Sequence, residues 1–543
     1  MQADPRAWRL AALLAAMTAT GGSAGAASDS DPDLVALFAD WRAFERPAMR
    51  EGAPDYTAAT LARKHEELKA YQARLAAIDA SGWPVDRRVD YHLVRAEMNG
   101  LDFHVRVLKP WARDPAWYKT VWTAQSDTPA HEGPTHHAVV ELWTYTFPLT
   151  PAAEAKLAGE LRVVPALLAQ ARSNLTGNAR DLWITGTGTL KQQVADLDDL
   201  DEKAAGAGAE LKEAVREARR ATFELAAWLA AQAPSKTGPS GIGREAYTWS
   251  LRNVHLVPLS WEQEVELLRR ELARSHAALK LEEERNRGEP PLPVISSPEE
   301  YERRANEAVT RFIAFLRDRD LYPMRDYMDP ALRAQVGEFV PAERRNFFAI
   351  VAHHEPLALY THFYHWWDLA RMRESPHPSP IRRGPLLYNI WDSRAEGMAT
   401  AMEEFMLHAG LFDDSPRKRE LVWVMLAQRA ARGLASLLAQ ANEIDLQEAQ
   451  DFQVRWTPRG WMREDLDLLG FEQQLYLRQP GYGTCYVTGK HLLEDLMRER
   501  ARQLGDAFSL KRYFEEVDAA GLIPVSLIRW QLTGQDGGVA AAR

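Results

Sequence analysis

Histidine and carboxylate side chains hold divalent metals and move protons, and this sequence gathers them in three places. The first is His131-Glu132-Gly133-Pro134-Thr135-His136-His137. Its residue types suit zinc, but Gly-Pro forbids the regular helix that an H-E-x-x-H pair requires, so the segment reads as a polar loop. The second is His353-His354-Glu355-Pro356, followed by His362 and His365. Ala358 stands where H-E-x-x-H needs its second histidine. His354 and His365 return to nearly one helical face, but about 16 Å apart along a straight helix, too far to share an ion. His362 and His365 are spaced to pair, while Phe363, Tyr364, Trp366 and Trp367 equally suit histidines packed in a core. The third runs from Glu396 through Gly397 to Glu403, nearly two turns, which puts both carboxylates on one face. With Met398, Ala399 and Met402 around them they raise one another's pKa or bind a cation; on a half-exposed helix they are simply solvated.

The elements that must position these groups are helices. Leu211, Val215, Ala218, Thr222, Leu225 and Leu229 mark one helical stripe. Ser260-Trp261-Glu262-Gln263 is a capping box ahead of Val265, Leu268, Leu272 and Leu279. Ser297-Pro298 and Thr150-Pro151 open two more helices. Trp183-Ile184-Thr185 is a short run that reads as extended. Breaks fall at 233–243, 286–297 and 374–385, rich in Pro, Gly and Ser. The expected fold is mostly α: a large all-helical body in two lobes, 27–290 and 291–543, integrated around a deep cleft. The C-terminal lobe carries the site, its wall built by segments near 354, 396 and 486.

Composition narrows the function. The chain has 543 residues, 46% hydrophobic and 26% charged, an ordinary globular balance. A net charge of -10 argues against nucleic acid as a partner, because phosphate contacts need a basic face. One cysteine, Cys485, excludes an internal disulfide and a Cys-based zinc cluster. Eighteen Trp suit an aromatic-lined cavity. Arg6 and Arg9, the apolar run from Leu10 to Met17, and Ala24-Gly25-Ala26 form a secretory signal peptide over residues 1–26, with the mature chain starting near Ala27. The expectation is a periplasmic or secreted protein with no membrane span.

The order His-Glu, then Glu396-Gly397, then Pro480-Gly481-Tyr482-Gly483-Thr484-Cys485-Tyr486-Val487-Thr488-Gly489-Lys490 resembles the bacterial "domain of unknown function 885" family. Asp114-Pro115-Ala116-Trp117-Tyr118, Gly243 with Tyr247 and Leu251, and Gly521-Leu522-Ile523-Pro524-Val525 extend the resemblance over nearly the whole mature chain. It implies a zinc-peptidase-like helical body that takes a peptide or small-molecule ligand. It implies His354 and Glu396 as metal ligands and, by a two-residue shift, His362. Glu355 becomes the general base, Tyr486 the donor to a developing oxyanion, and Glu403 and Arg432 supporting groups. The chain departs from the family at chemical positions. Ala358, Leu359 and Tyr360 stand where H-E-x-x-P-G-H has Pro, Gly and its second His. Met398, Thr400 and Ala401 replace the Trp, Leu and Tyr of E-G-W-A-L-Y-x-E. Ser436 and Gln440 follow Arg432 where Asp and His are expected, and Phe514-Glu515-Glu516 replaces F-H-D. Catalytic zinc needs three protein ligands, so weak or no zinc binding is expected. Two functions follow: an exported metallopeptidase-like hydrolase with an eroded or altered site, or a non-catalytic binding protein using the same cleft. A different metal on Glu396, Glu403 and His362 is a third reading.

Overall fold

A computed structural model describes residues 30–129 and 139–539. The histidine cluster at 131–137 and the signal peptide expected at 1–26 lie outside the described residues. Within them the protein is all-α, apart from two short strand pairings: Met49–Arg50 with Ala53–Pro54, antiparallel, and Val121–Trp122 with Val140–Glu141, parallel.

The caps open helices where the sequence places them. Ser260 and Gln263 form the reciprocal box that starts Trp261–Arg285. Ser297 accepts from Glu300 N at the head of Pro298–Asp318, and Thr150 caps Pro151–Leu161. The stripe from Leu211 to Leu229 is the buried face of Ala209–Gln232. Trp183-Ile184-Thr185 is not extended; it lies inside Arg180–Lys203. Leu182, Trp183, Gly186, Thr187 and Leu190 are buried there while Ile184 is exposed, a period of 3.6 that a three-residue window is too short to display.

The main core joins Leu34, Trp41, Leu93 and Met98 to Phe312, Trp367, Met402 and Leu527. Packing therefore runs across the break near 290. A second core gathers Trp117, Leu167, Trp183 and Leu225. Motif residues tie distant segments together. The Tyr247 hydroxyl donates to Glu264 at 2.6 Å and lies 3.0 Å from Thr484 Oγ1. Asp114 caps the turn Pro115–Tyr118 and pairs with Arg478 at 2.7 Å.

Three helices at the centre position the site: Asp392–His408, Pro416–Gln440 and Tyr482–Leu504. The first two are buried nearly all round, as helices inside a large core must be. Pro416–Gln440 is long and apolar enough to cross a membrane, but 94% of its most apolar window is covered by the protein's own helices. The first and third cross at paired glycines. A Cβ on Gly397 would meet the Gly489 Cα at 2.5 Å, and one on Gly489 would overlap the Ser393 carbonyl oxygen. This backbone-to-backbone approach, which only glycine allows, sets Glu396 against Tyr482 and Tyr486.

Candidate metal centre

His362 and His365 come from a stretch where the helix is interrupted. Glu355 is extended (φ -155°, ψ 101°), as a residue before proline prefers, and it ends the helix Phe347–His354. A short helix, Pro356–Tyr360, and a turn follow before Tyr364–Glu374 begins. Spaced by three across that turn, the two imidazoles stand 5.1 Å apart, centroid to centroid. Both face Glu396. His365 Nε2 lies 2.9 Å from Glu396 Oε2, and His362 Nε2 lies 3.8 Å from the same oxygen. One ligand atom from each of the three residues falls within 4.8 Å of the other two.

The other oxygen of Glu396 is held by tyrosines. Tyr482 and Tyr486 both donate their hydroxyls to Oε1, the latter at 3.0 Å. Burial pushes both phenols well above their ordinary pKa, so they remain donors. Glu403, one face-repeat along the helix, lies 2.9 Å from His362 Nδ1 and is clamped by Arg429 at 2.6 Å. Burial pushes Glu403 up to about 7, against the pull of Arg429. Burial and the Arg429 charge push His362 well below its ordinary value. His365 is the opposite case: burial lowers it, but the Glu396 and Asp127 carboxylates outweigh burial and carry it to about 9. Glu396 itself is held near 2, because His365 overcomes the burial that would raise it. Arg432 lies 4.0 Å over the Tyr486 ring and pairs with Glu472, which also accepts from Gln428 and Gln453. Asp127, on the loop after Val121–Trp122, is coupled by charge to His365 and Glu396; burial raises its carboxyl.

Of the residues expected at a site, the structure gathers His362, Glu396, Glu403, Tyr486 and Arg432. It takes His354 and Glu355 elsewhere. The His354 ring stacks on Trp461 at 5.1 Å. Glu355 caps Leu357 N and pairs with Lys418 at 2.8 Å. The break at Glu355-Pro356 explains the split, since it turns the chain away from the straight helix on which 354 and 365 would align. Tyr360 is buried against Phe363. Gln440 reaches the carbonyls of Tyr476 and Leu477, and Glu516 pairs with Arg500. Sequence reasoning left His365 outside the ligand set and did not single out Tyr482, Arg429 or Glu472. The His-x-x-His spacing of 362 and 365 was the available signal for the first.

These helices and this arrangement define an all-α protein with a buried His-His-Glu cluster. The chain belongs to the DUF885 family, described as bacterial protein of unknown function, whose family model matches residues 45–355. That match ends at Glu355, before the first residue of the cluster. No curated protein matches the chain. Two solved structures share the fold. A chain from Shewanella oneidensis, described as a "putative lipoprotein of unknown function", superposes with a TM-score of 0.69 at 16% identity, covering 92% of this chain and 98% of its own. One from Colwellia psychrerythraea, described as a "putative lipoprotein", gives 0.62 at 12% identity, covering 89% and 92%.

Proposed function

We propose that the protein is an exported metal-dependent hydrolase of peptide-like amides, its ion, zinc first among candidates, held by His362, His365 and Glu396. The observation that carries this reading is the convergence of two imidazole nitrogens and a carboxylate oxygen within 4.8 Å. The donor set fits. Two nitrogen or oxygen ligands on a tetrahedral zinc stand about 3.3–3.5 Å apart, so movements of about 1–1.5 Å close the set on an ion. Three protein ligands are also the number a catalytic zinc uses, leaving a position open. A bound ion would lower the pKa of a water and polarise a carbonyl.

The chain's own groups do the rest. Tyr482 and Tyr486 hold Glu396 Oε1, so that Oε2 is the oxygen presented to the imidazoles. His362 Nδ1 lies 3.2 Å from the Arg429 guanidinium, which can only donate to it, and 2.9 Å from Glu403. An ion on Nε2 would need the tautomer with its proton on Nδ1, from which Glu403 is placed to accept a hydrogen bond. With Glu355 occupied by Lys418, the carboxyl group whose charge couples to His365 and Glu396 is Asp127, our candidate proton acceptor. Export is supported by the signal-peptide pattern at residues 1–26 and by the lipoprotein description of both structural neighbours.

Metal analysis after dialysis against zinc tests the reading. About one zinc per chain is expected in the wild type, and none in His365→Ala; equal zinc in both proteins would defeat it. A rival reading, a binding protein without catalysis, draws support from the engagement of Glu355 with Lys418. Zinc-loaded protein that cleaves no peptide library would favour that rival.

A further inference from the structure

Two small cavities lie in series beside the cluster. The outer one, about 60 Å³, has a mostly apolar wall of Tyr56, Leu61, Leu101, Trp111, Trp117 and Leu387, to which Glu45, Asp55 and Lys64 also contribute. The inner one, about 50 Å³, has a mostly apolar wall, with Phe103, Leu108 and Val254, into which Asn389, Gln479 and Tyr482 set polar groups. His104 and Tyr388 line both, their rings in edge contact at 4.7 Å, and so form the partition between them. The inner cavity ends on Tyr482, whose hydroxyl donates to Glu396.

The partition is built from strained backbone. Eight non-glycine residues in the described structure have positive φ. Tyr388 (59°) and Asn389 (55°) are two of them, and Leu256 (53°) and Lys109 (43°) adjoin the lining residues His255 and Leu108. Bulky side chains rarely adopt this conformation, and such strain gathers where a ligand is clamped. His104 itself opens a π-helical turn, His104–Leu108, another feature that collects at functional sites. Neither cavity alone approaches the roughly 150 Å³ that admits a benzene-sized group. Together they still fall short, and only with the Tyr388 ring displaced, which adds the space of a benzene-sized ring, would the joined space admit one. That ring is tethered by one hydrogen bond, from its hydroxyl to Glu45 at 3.1 Å.

We propose that the two cavities are halves of one binding tunnel, gated by Tyr388, for a ligand with an uncharged, apolar or aromatic side chain attached to an amide. The side chain fills the Trp-lined outer half. The amide lies in the inner half, where it would meet the side-chain amides of Asn389 and Gln479, hydrogen-bonded to each other in this structure, and the Tyr482 oxygen, which can accept while its proton goes to Glu396. The tunnel deepens the hydrolase reading by naming the substrate's side chain, and it rests on that reading only where it meets Glu396 through Tyr482.

Titration calorimetry with N-acetyl-phenylalanine amide tests it on the full-length protein. Tyr388→Ala removes the gate and should bind the probe about tenfold tighter than wild type. Leu61→Trp fills the outer half and should weaken it by at least about tenfold. Circular dichroism melts establish that both variants fold. If Leu61→Trp fails to fold, Trp111→Ala, which widens the outer half, is to alter probe affinity instead. Unchanged affinity across the folded variants, or no probe binding to either wild type or Tyr388→Ala, overturns the tunnel. Zinc titration run in parallel separates the two ideas. Zinc bound without probe ends the tunnel alone. Probe bound with the expected variant effects, but without zinc, upholds the tunnel and ends the metal reading alone.

Discussion

His365 and Glu396 neutralise one another at a depth where either charge alone would be costly. In the metal-free protein His365 titrates near 9, above its ordinary value of 6.5. Its contribution to stability is therefore full below about pH 6.5 and is lost as pH rises through about 9. Glu396, held near 2 against an ordinary 4.5, contributes above about pH 4.5 and loses that contribution as pH falls through about 2. The melting temperature of metal-free protein should fall between about pH 6.5 and 9, and His365→Gln should flatten that limb. Zinc behaves in the opposite sense, because a metal ligand must be an unprotonated imidazole. Apparent zinc affinity should rise across the same range, and a flat titration would remove His365 from the ligand set. Glu403 acts one step further out. Glu403→Gln keeps the shape but weakens the hold on His362 Nδ1, and should lower zinc affinity about 10–100-fold. An unchanged affinity would mean that packing alone orients His362.

At the scale of elements, the close crossing of Asp392–His408 and Tyr482–Leu504 governs the site. Gly489→Ala would press a methyl group onto the Ser393 carbonyl, which belongs to a buried helix and cannot move aside cheaply. The expected cost is about 1–3 kcal/mol in denaturant unfolding, with loss of zinc binding as Glu396 shifts from its tyrosines. A fully stable Gly489→Ala protein would show that the two helices have room to part. The same crossing explains which parts of the site were legible in the sequence. Gly397, Gly483 and Gly489 stand out because a glycine inside an apolar helix is costly without a close approach to justify it. Those glycines belong to the strings that carry Glu396, Tyr482 and Tyr486. The histidines were harder to place. A straight helix through 354–365 puts His354 and His365 on one face, but Glu355-Pro356 bends the chain, and spacing cannot give the new direction. His365 was also obscured by its neighbours. Tyr364 and Trp367 are core residues as their types suggest, while the imidazole between them points the other way, into the cluster.

At the scale of the whole molecule, the ends of the chain are stitched into one body. Asp90 is buried and holds Arg382 at 2.5 Å, and the same guanidinium donates to the carbonyls of Asp86 and Ala520 and to Gln531. Arg394, fully buried, joins Asp368 and Asp518 from two other segments. The Asp90–Arg382 pair crosses the Pro- and Gly-rich break near 290, as the main core does when it joins Leu93 to Leu527. Residues 291–543 expressed alone would leave that core without its first helices and Arg382 without a counter-ion. The fragment should therefore show no cooperative melting transition, although it contains every residue of the His-His-Glu cluster. In the intact chain, Asp90→Ala should cost about 3–5 kcal/mol, the penalty for a buried charge stripped of its partner. Because the stitched segments share one core, that loss should lower a single transition rather than split it in two. Two well-separated transitions in the calorimetric melt of Asp90→Ala would instead show that the N-terminal helices and the cluster-bearing body fold as separate units, linked only by the Asp90–Arg382 contact.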